Sequence, residues 1–535
     1  MKKILLMMVA FVATFSAFAE DKDDDFWGGW EQSFKPVEVD DTEDLDAPRT
    51  AVANDGSVFV SSTYTKAFAF AGKALADPED MSCACIVKYN NKGEEQWAVS
   101  FVGNATVSDM AVDAEGNLYA AGIAADEVKY TGTDGKSATI KGYDTCFPAF
   151  VAKISKDGKF LAMKTIVPET NAVIAAAEGP DPWGEVEGMV PLYQSWDPLY
   201  VSPNKIQIDG DKVYVSATYM GDVTELGWKG SYLDMFGMSY SDNLSSGVFS
   251  LSANDLSGAA NVATVQMTGV IAENQYYPEA ISFVAENGTV YVGFFGFGDL
   301  TLATSSASKD FSFDYGKHPF VLATIKNGSV SSAKTFEAAA HGKIAKPYKV
   351  EMDMDGENII IGGTFYGELP FDNSKTSGAV GKDDDGDPTY SLASDIFITS
   401  VKKDGAVNWA AVGAKESKAI AMIVTGEEIH CATTVGNYTI KTATGAIELD
   451  DDDDTALLIL SDASAWDDDY AAVVLMDKDE VFVISRDMKS DNTVIEDIDA
   501  PVAEDGQLFN LLGQPVDENY KGVAITADGK KVYLR

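Results

Sequence analysis

The side chains that could do chemistry are unevenly stocked in this chain. Three histidines (His318, His341 and His430) and four cysteines (Cys83, Cys85, Cys146 and Cys431) stand among 84 aspartates and glutamates. No Ser-His-Asp order, H-E-x-x-H, C-x-x-C, P-loop or dinucleotide fingerprint occurs, so no nucleophile, zinc or phosphate chemistry is spelled locally. His430 falls in an alternating apolar strand and reads as a core residue, and His318 precedes Pro319-Phe320 where a strand begins. Carboxylate pairs are so abundant that choosing an acid and a base for a glycosidase would be arbitrary. Asp383, Asp385 and Asp387 around Gly386 set oxygen ligands in a turn as Ca²⁺ loops do, without the distal bidentate glutamate of an EF-hand. The competing reading is a solvated acidic loop, which also suits the run from Asp450 to Asp454. Ca²⁺ is therefore the one cofactor candidate. Asp353-Met354-Asp355-Gly356 reads as a hairpin turn. A different chemistry, adhesive rather than catalytic, is offered by Trp183, Tyr193, Trp196, Tyr200 and Trp228, joined by Tyr232 and Phe236, among Gly, Pro and Asp. Aromatic planes beside carboxylates suit sugar rings or extended peptides, and equally suit the pinning of long loops.

Positioning these residues falls to a repeat. Ala51-Val52-Ala53-Asn54-Asp55-Gly56-Ser57-Val58-Phe59-Val60 returns as Ala111-Val112-Asp113-Ala114-Glu115-Gly116-Asn117-Leu118-Tyr119-Ala120, apolar strand, turn, apolar strand. Each hairpin is followed by a second pair: Cys85 to Tyr89, a turn ending at Gly93, and a strand from Trp97; or Phe150 to Ile154, the turn Ser155 to Gly158, and a strand through Met163. The fifth copy repeats the first closely through Ile359 to Gly363, Ile396 to Ser400, Gly405 and Trp409; weaker copies centre on Val213, Val290 and Ile429. Four-stranded units that cannot bury their own faces imply an all-β radial architecture, a β-propeller. A further hairpin, Ala472 to Leu475 with Val481 to Ile484, lacks a second pair after it, while Trp30-Glu31-Gln32-Ser33-Phe34 looks like the fourth strand that starts at Trp97. The expectation is about seven blades, six or eight being the alternatives, closed by the N-terminal segment so that no edge stays unpaired. Trp97 and Trp409 are expected to pack between blades.

Lys2-Lys3, an apolar run from Ile4 to Phe18 and the end Ala17-Phe18-Ala19 have the form of a signal peptide over 1–19, followed by an acidic segment over 20–47. No cysteine follows the cleavage point, which argues against a lipoprotein, and no later run reaches the ~20 apolar residues of a spanning helix. The formal net charge of −44 opposes nucleic acid and anionic lipid as partners. Four cysteines cannot frame 535 residues with disulfides. A bridge from Cys83 or Cys85 to Cys146 and free buried thiols both fit.

The units "D-x-x-G-N-x-Y-V-x-G" and "F-V-x-K-x-x-x-D-G", best in units one, two and five, as at Asp113 to Gly122 and Phe150 to Gly158, resemble bacterial seven-bladed repeats of the SBBP type over roughly residues 48 to 487. That resemblance implies the fold and no activity. The end of the chain, 491–535, is similar to the C-terminal sorting tails of exported Bacteroidetes proteins, which imply the type IX secretion machinery as a partner. Gly513, Val516, Gly522, Lys530 and Val532 match; Gln514 and Ala524 depart from the usual Arg and aromatic. Three short antiparallel strands are expected there, either a sorting module or a cap on the propeller body over 48–490.

In such a blade the first-to-second and third-to-fourth turns share one face. The long insertions expected from the sequence, 168–204, 221–246, 372–394 and 436–454, all fall on the other. One-sided insertion is what repeat proteins show when a face binds. The reading that results is an exported, non-enzymatic propeller that binds a glycan or a surface protein, at the cell surface or in the medium; the alternatives are a secreted carbohydrate-active hydrolase and a periplasmic location.

Overall fold

The computed structural model describes residues 30–37, 48–78 and most of 81–487, and the strands within 508–534; within 81–487 the longest stretches left outside that description are 169–198, 268–280, 338–349 and 451–464. The chain is a seven-bladed β-propeller. Blade one consists of Arg49–Val52, Val58–Tyr64, Cys83–Tyr89 and Glu95–Val102, each antiparallel to the next. Blades two to six repeat that order over 105–166, 199–267, 282–336, 351–416 and 421–450.

Blade seven closes the ring with strands from both ends of the body. Ala465–Trp466, Tyr470–Asp477 and Glu480–Asp487 supply its first three strands, and Trp30–Phe34 is the fourth, with Trp30 opposite Ser485 and Phe34 opposite Val481. The late hairpin is thus the middle of its blade, preceded by a short inner strand that carries too little apolar pattern to be read. Its apolar face meets blade one: Val474, Val481 and Val483 share a core with Val58, Val60 and Val87. Comparable cores join blades one to two, two to three, three to four, four to five and five to six.

The tryptophans lock neighbouring blades. Trp97, on the outer strand of blade one, lies on Gly158 in the third-to-fourth turn of blade two, and its indole N–H donates to the Lys156 carbonyl at 2.9 Å. Gly158 has φ of 78°, and a Cβ there would stand 2.9 Å from the indole, so the turn and the lid over it both require glycine. Trp409 of blade five treats Gly445 of blade six the same way, donating to the Thr442 carbonyl at 2.8 Å. Trp30 of blade seven covers Gly93 of blade one, but its buried Nε1 has no hydrogen-bond partner.

The insertions depart from expectation in three places, the first being that 199–204, expected within the insertion 168–204, lie in the inner strand Leu199–Asp209 of blade three. Residues 436–450 are not an insertion: Gly436–Lys441 and Ile447–Asp450 are the third and fourth strands of blade six. The second-to-third connections of blades two and four, not counted among the long ones, fold into hairpins that extend the preceding blade. Glu127–Thr131 pairs with the outer strand of blade one and Asp299–Ala303 with that of blade three, giving both blades two further strands. Covering an outer edge in this way removes a row of unpaired N–H and C=O groups.

The tail forms a separate sheet of four short strands, not three: Leu508–Asn510, Pro515–Val516, Gly522–Ile525 and Lys531–Leu534. Val516, Gly522 and Val532 lie in these strands, whereas Gly513 and Lys530 are outside the described residues. All four cysteines are free and buried. No helix among the described residues is long and apolar enough to cross a membrane.

Candidate functional site

The first strand of a blade faces the central axis with its inner edge outside the four-stranded ladder, and only in blade three is part of that edge paired among the described residues, by Cys146–Phe147 running parallel to Leu199–Tyr200, so the other backbone groups must find partners elsewhere. Side chains supply them from blade to blade. Arg49 of blade one donates from Nε to the Ser108 carbonyl of blade two at 2.8 Å. The Asp109 carboxylate of blade two accepts the Ile206 N–H of blade three at 2.8 Å. Gln207 of blade three clasps Ala285 of blade four, accepting its N–H at 2.9 Å and donating to its carbonyl at 3.1 Å. Lys205 of blade three reaches past blade four to the Met352 carbonyl of blade five at 2.6 Å.

Around the axis this places two cations, Arg49 and Lys205, with two carboxylates, Asp109 and Asp353. Burial drives the Asp109 carboxyl up from 3.8 to about 6, against the pull of the Ile206 and Met110 N–H groups and of Lys205 and Arg49. Asp353 is likewise raised by burial, with Lys205 and the Met354 N–H opposing. Both residues are half-buried, yet the protein around the carboxyl groups removes most of their hydration. The arrangement fastens blades: each carboxylate and cation is bonded to backbone of its own or another inner strand. None of these four residues stood out in sequence. Asp353, read there as part of a hairpin turn, lies in an inner strand, and the turn itself is Gly356-Glu357 between the paired Asp355 and Asn358.

The sequence-based ligand residues are not assembled into one described site. Trp228 is fully buried, stacked on Tyr219 with ring centroids 4.6 Å apart and donating from Nε1 to Asn261 Oδ1 at 3.0 Å. It is an anchor that pins the second-to-third connection of blade three onto its sheet, so its ring presents no surface to a ligand. Tyr200 is half-buried in the inner strand of blade three, opposite Phe147 and Met220. Trp183, Tyr193, Trp196, Phe236, Asp383, Asp385, Asp387, His318 and His341 lie outside the described residues. Among the described residues no group of three or more His, Cys, Asp or Glu side chains is placed to hold a metal ion. His430 is half-buried beside Glu428, its imidazole held below the usual range by burial.

No protein-family model and no curated protein matches the chain. Solved structures with similar folds include the Dos1 propeller, at 9% identity and a TM-score of 0.39, covering 86% of this chain and 97% of that one. A catalytically inactive virginiamycin B lyase from Staphylococcus aureus with quinupristin is similar at 8% identity and 0.35, covering 85% and 99%. The α-L-arabinofuranosidase Arb93A of Fusarium graminearum is similar at 9% identity and 0.35, covering 87% and 99%. At these values none bears on activity, and the blade count rests on the strand ladders.

Proposed function

We propose that this chain is an exported, non-enzymatic propeller of the SBBP type that binds a glycan or a surface protein on the face carrying its second-to-third connections. One observation carries the reading: the two faces are built differently. The turns within the first and last strand pairs are tight, as at Gly56, Gly116 and Gly158, whereas 221–244 and 366–394 are long connections on the opposite face. Loops of such length on one side of a rigid ring are where recognition is built. The charged groups at the axis are engaged in holding blades together, which favours binding over catalysis.

Localisation is part of the same proposal: cleavage after Ala19, then delivery to the surface or medium directed by residues 491–535 through the type IX route. Fractionation of cells expressing the chain with and without that tail separates surface delivery from a periplasmic location. A glycan and peptide array tests the ligand, using wild type and the Trp183→Ala, Trp196→Ala double variant. Binding lost with an unchanged melting curve supports the site. Unchanged binding removes it, and product release from a glycan replaces it with the hydrolase.

A further inference from the structure

The opposite face holds a groove of 570 Å³ between blades five and six, lined by Asp355, Asn358, Ser400, Asn408, Trp409 and Thr442. Its origin shows on comparing equivalent rungs of the blades. In blade one the rung is Phe59, Lys88 and Trp97 across strands two, three and four. Lys88 is buried, its ammonium 4.9 Å from the Phe59 ring centre and donating at 3.1 Å to the Lys156 carbonyl of blade two, the same oxygen that takes the Trp97 indole N–H. Asp55 and Asp157 add favourable charge to that ammonium. Blade two repeats the device: Lys153 lies 5.1 Å from the Tyr119 ring centre and donates at 2.7 Å to the Ala253 carbonyl in the corresponding turn of blade three.

In blade five the rung is Ile360, Ser400 and Trp409. The tryptophan and its hydrogen bond to the next blade persist, but the lysine is a serine and the ring beneath it is an isoleucine. Blades three and four also have Ser250 and Thr324 in the lysine position, but Tyr214 and Tyr291 occupy strand two there. Blade five alone of these has neither bulk, and the space that a lysine stem fills in blades one and two stands open. Its walls keep the chemistry of the lysine berth: the Asp355 carboxylate at the end of the inner strand, the Thr442 carbonyl where Lys156 offers its own, and the indole alongside. Asn408 donates to Asn358 Oδ1 at 2.9 Å and to Ser400 Oγ at 3.1 Å, which fixes the polar wall of the groove.

We propose that the groove between blades five and six docks a primary ammonium on an unbranched aliphatic stem, the exposed lysine side chain of a protein partner. The aliphatic stem replaces water along the indole, and the ammonium replaces that of the lysine the blade lacks, with carboxylate and carbonyl oxygens as acceptors. The chain's net charge of −44 adds long-range attraction for a lysine-bearing surface. This site is independent of the opposite face, and failure of either leaves the other standing.

The test uses the full chain labelled with 5-fluorotryptophan, the Trp409 signal being assigned with Trp409→Phe. N-acetyl-lysine methylamide is titrated against N-acetyl-norleucine methylamide, which has the stem and lacks the charge. The expected result is a saturable shift of the Trp409 signal with the lysine probe and a response at least ~10-fold weaker with norleucine, the weight of a charge-assisted hydrogen bond. Ser400→Lys restores the internal lysine and is expected to abolish the response; Asp355→Asn, at the end of the inner strand, is expected to weaken it severalfold with the melting curve unchanged. Equal responses to the two probes, or a full response in Asp355→Asn, would overturn the proposal, as would a shift produced by monosaccharides and not by the lysine probe.

Discussion

Replacing Asp109 by Asn isolates the cost of holding a carboxylate at the axis of the ring. Burial favours the protonated form, so the native state binds more protons than the unfolded chain between pH 3.8 and about 6. By linkage the stability contributed by this group falls as pH rises through that window and is flat above it. A displacement from 3.8 to about 6, at ~1.4 kcal/mol per pH unit, comes to ~3 kcal/mol of unfavourable free energy at pH 7. Because the residue is only half-buried, the observable effect is set lower, at ~1–3 kcal/mol. Asparagine mimics the neutral acid, and its Oδ1 can still accept the Ile206 N–H. Urea unfolding of both proteins at pH 4, 5, 6 and 7 measures the difference directly. Carboxylates such as Asp55 and Asp372, whose values are lowered in the fold, titrate in both proteins and cancel. The expected outcome is near equality at pH 4 and a variant more stable by ~1–3 kcal/mol at pH 7. A difference that stays flat from pH 4 to 7, or a variant less stable than the parent at pH 7, would refute the reasoning and make the attraction to Arg49 and Lys205 the dominant effect.

Two other outcomes follow from the packing. Deleting residues 28–36 removes the outer strand of blade seven, with Phe34 from the shared core and the Trp30 lid from Gly93, and is expected to cost at least ~3 kcal/mol, the usual price of one large buried aromatic; a melting curve identical to that of the parent would show that the ring does not depend on it. The buried thiols of Cys85 and Cys431 are pushed up, the former to about 12, so they are poor nucleophiles in the fold. A disulfide-exchange reagent should count four thiols in urea and almost none natively, and rapid native reaction would place these cysteines at the surface.

Much of the fold was legible because it is local. The hairpins through Gly56 and Gly116 and the tight turn at Gly158 follow from strand pattern and left-handed glycines within a dozen residues, and the match between Trp30 and Trp97 exposed the closing strand. The fourth-strand tryptophans could be read as inter-blade packing since a large ring at a repeating outer-strand position has a neighbour only in the next blade. Blade six was misread over 436–450 because its middle strands join through a short turn and carry Gly, Asn and Thr where other blades carry apolar runs. The hairpins that enlarge blades one and three were invisible because their partner strands belong to the preceding repeat.

What the sequence by itself determined is the repeating unit and a blade count near seven, with six or eight left open, products of short-range hydrogen-bonding and alternation. Only the tertiary structure decided where the charges meet. Arg49 and Ser108 are 59 residues apart, Ile206 and Asp109 are 97, and Lys205 and Met352 are 147, brought together by closure of the ring and not by any spacing along the chain. The same holds for Trp228, whose aromatic character suits a ligand or a core equally. Its burial against Tyr219 and Phe249 is settled by which face of blade three the connection folds onto, a long-range packing outcome with no local signature.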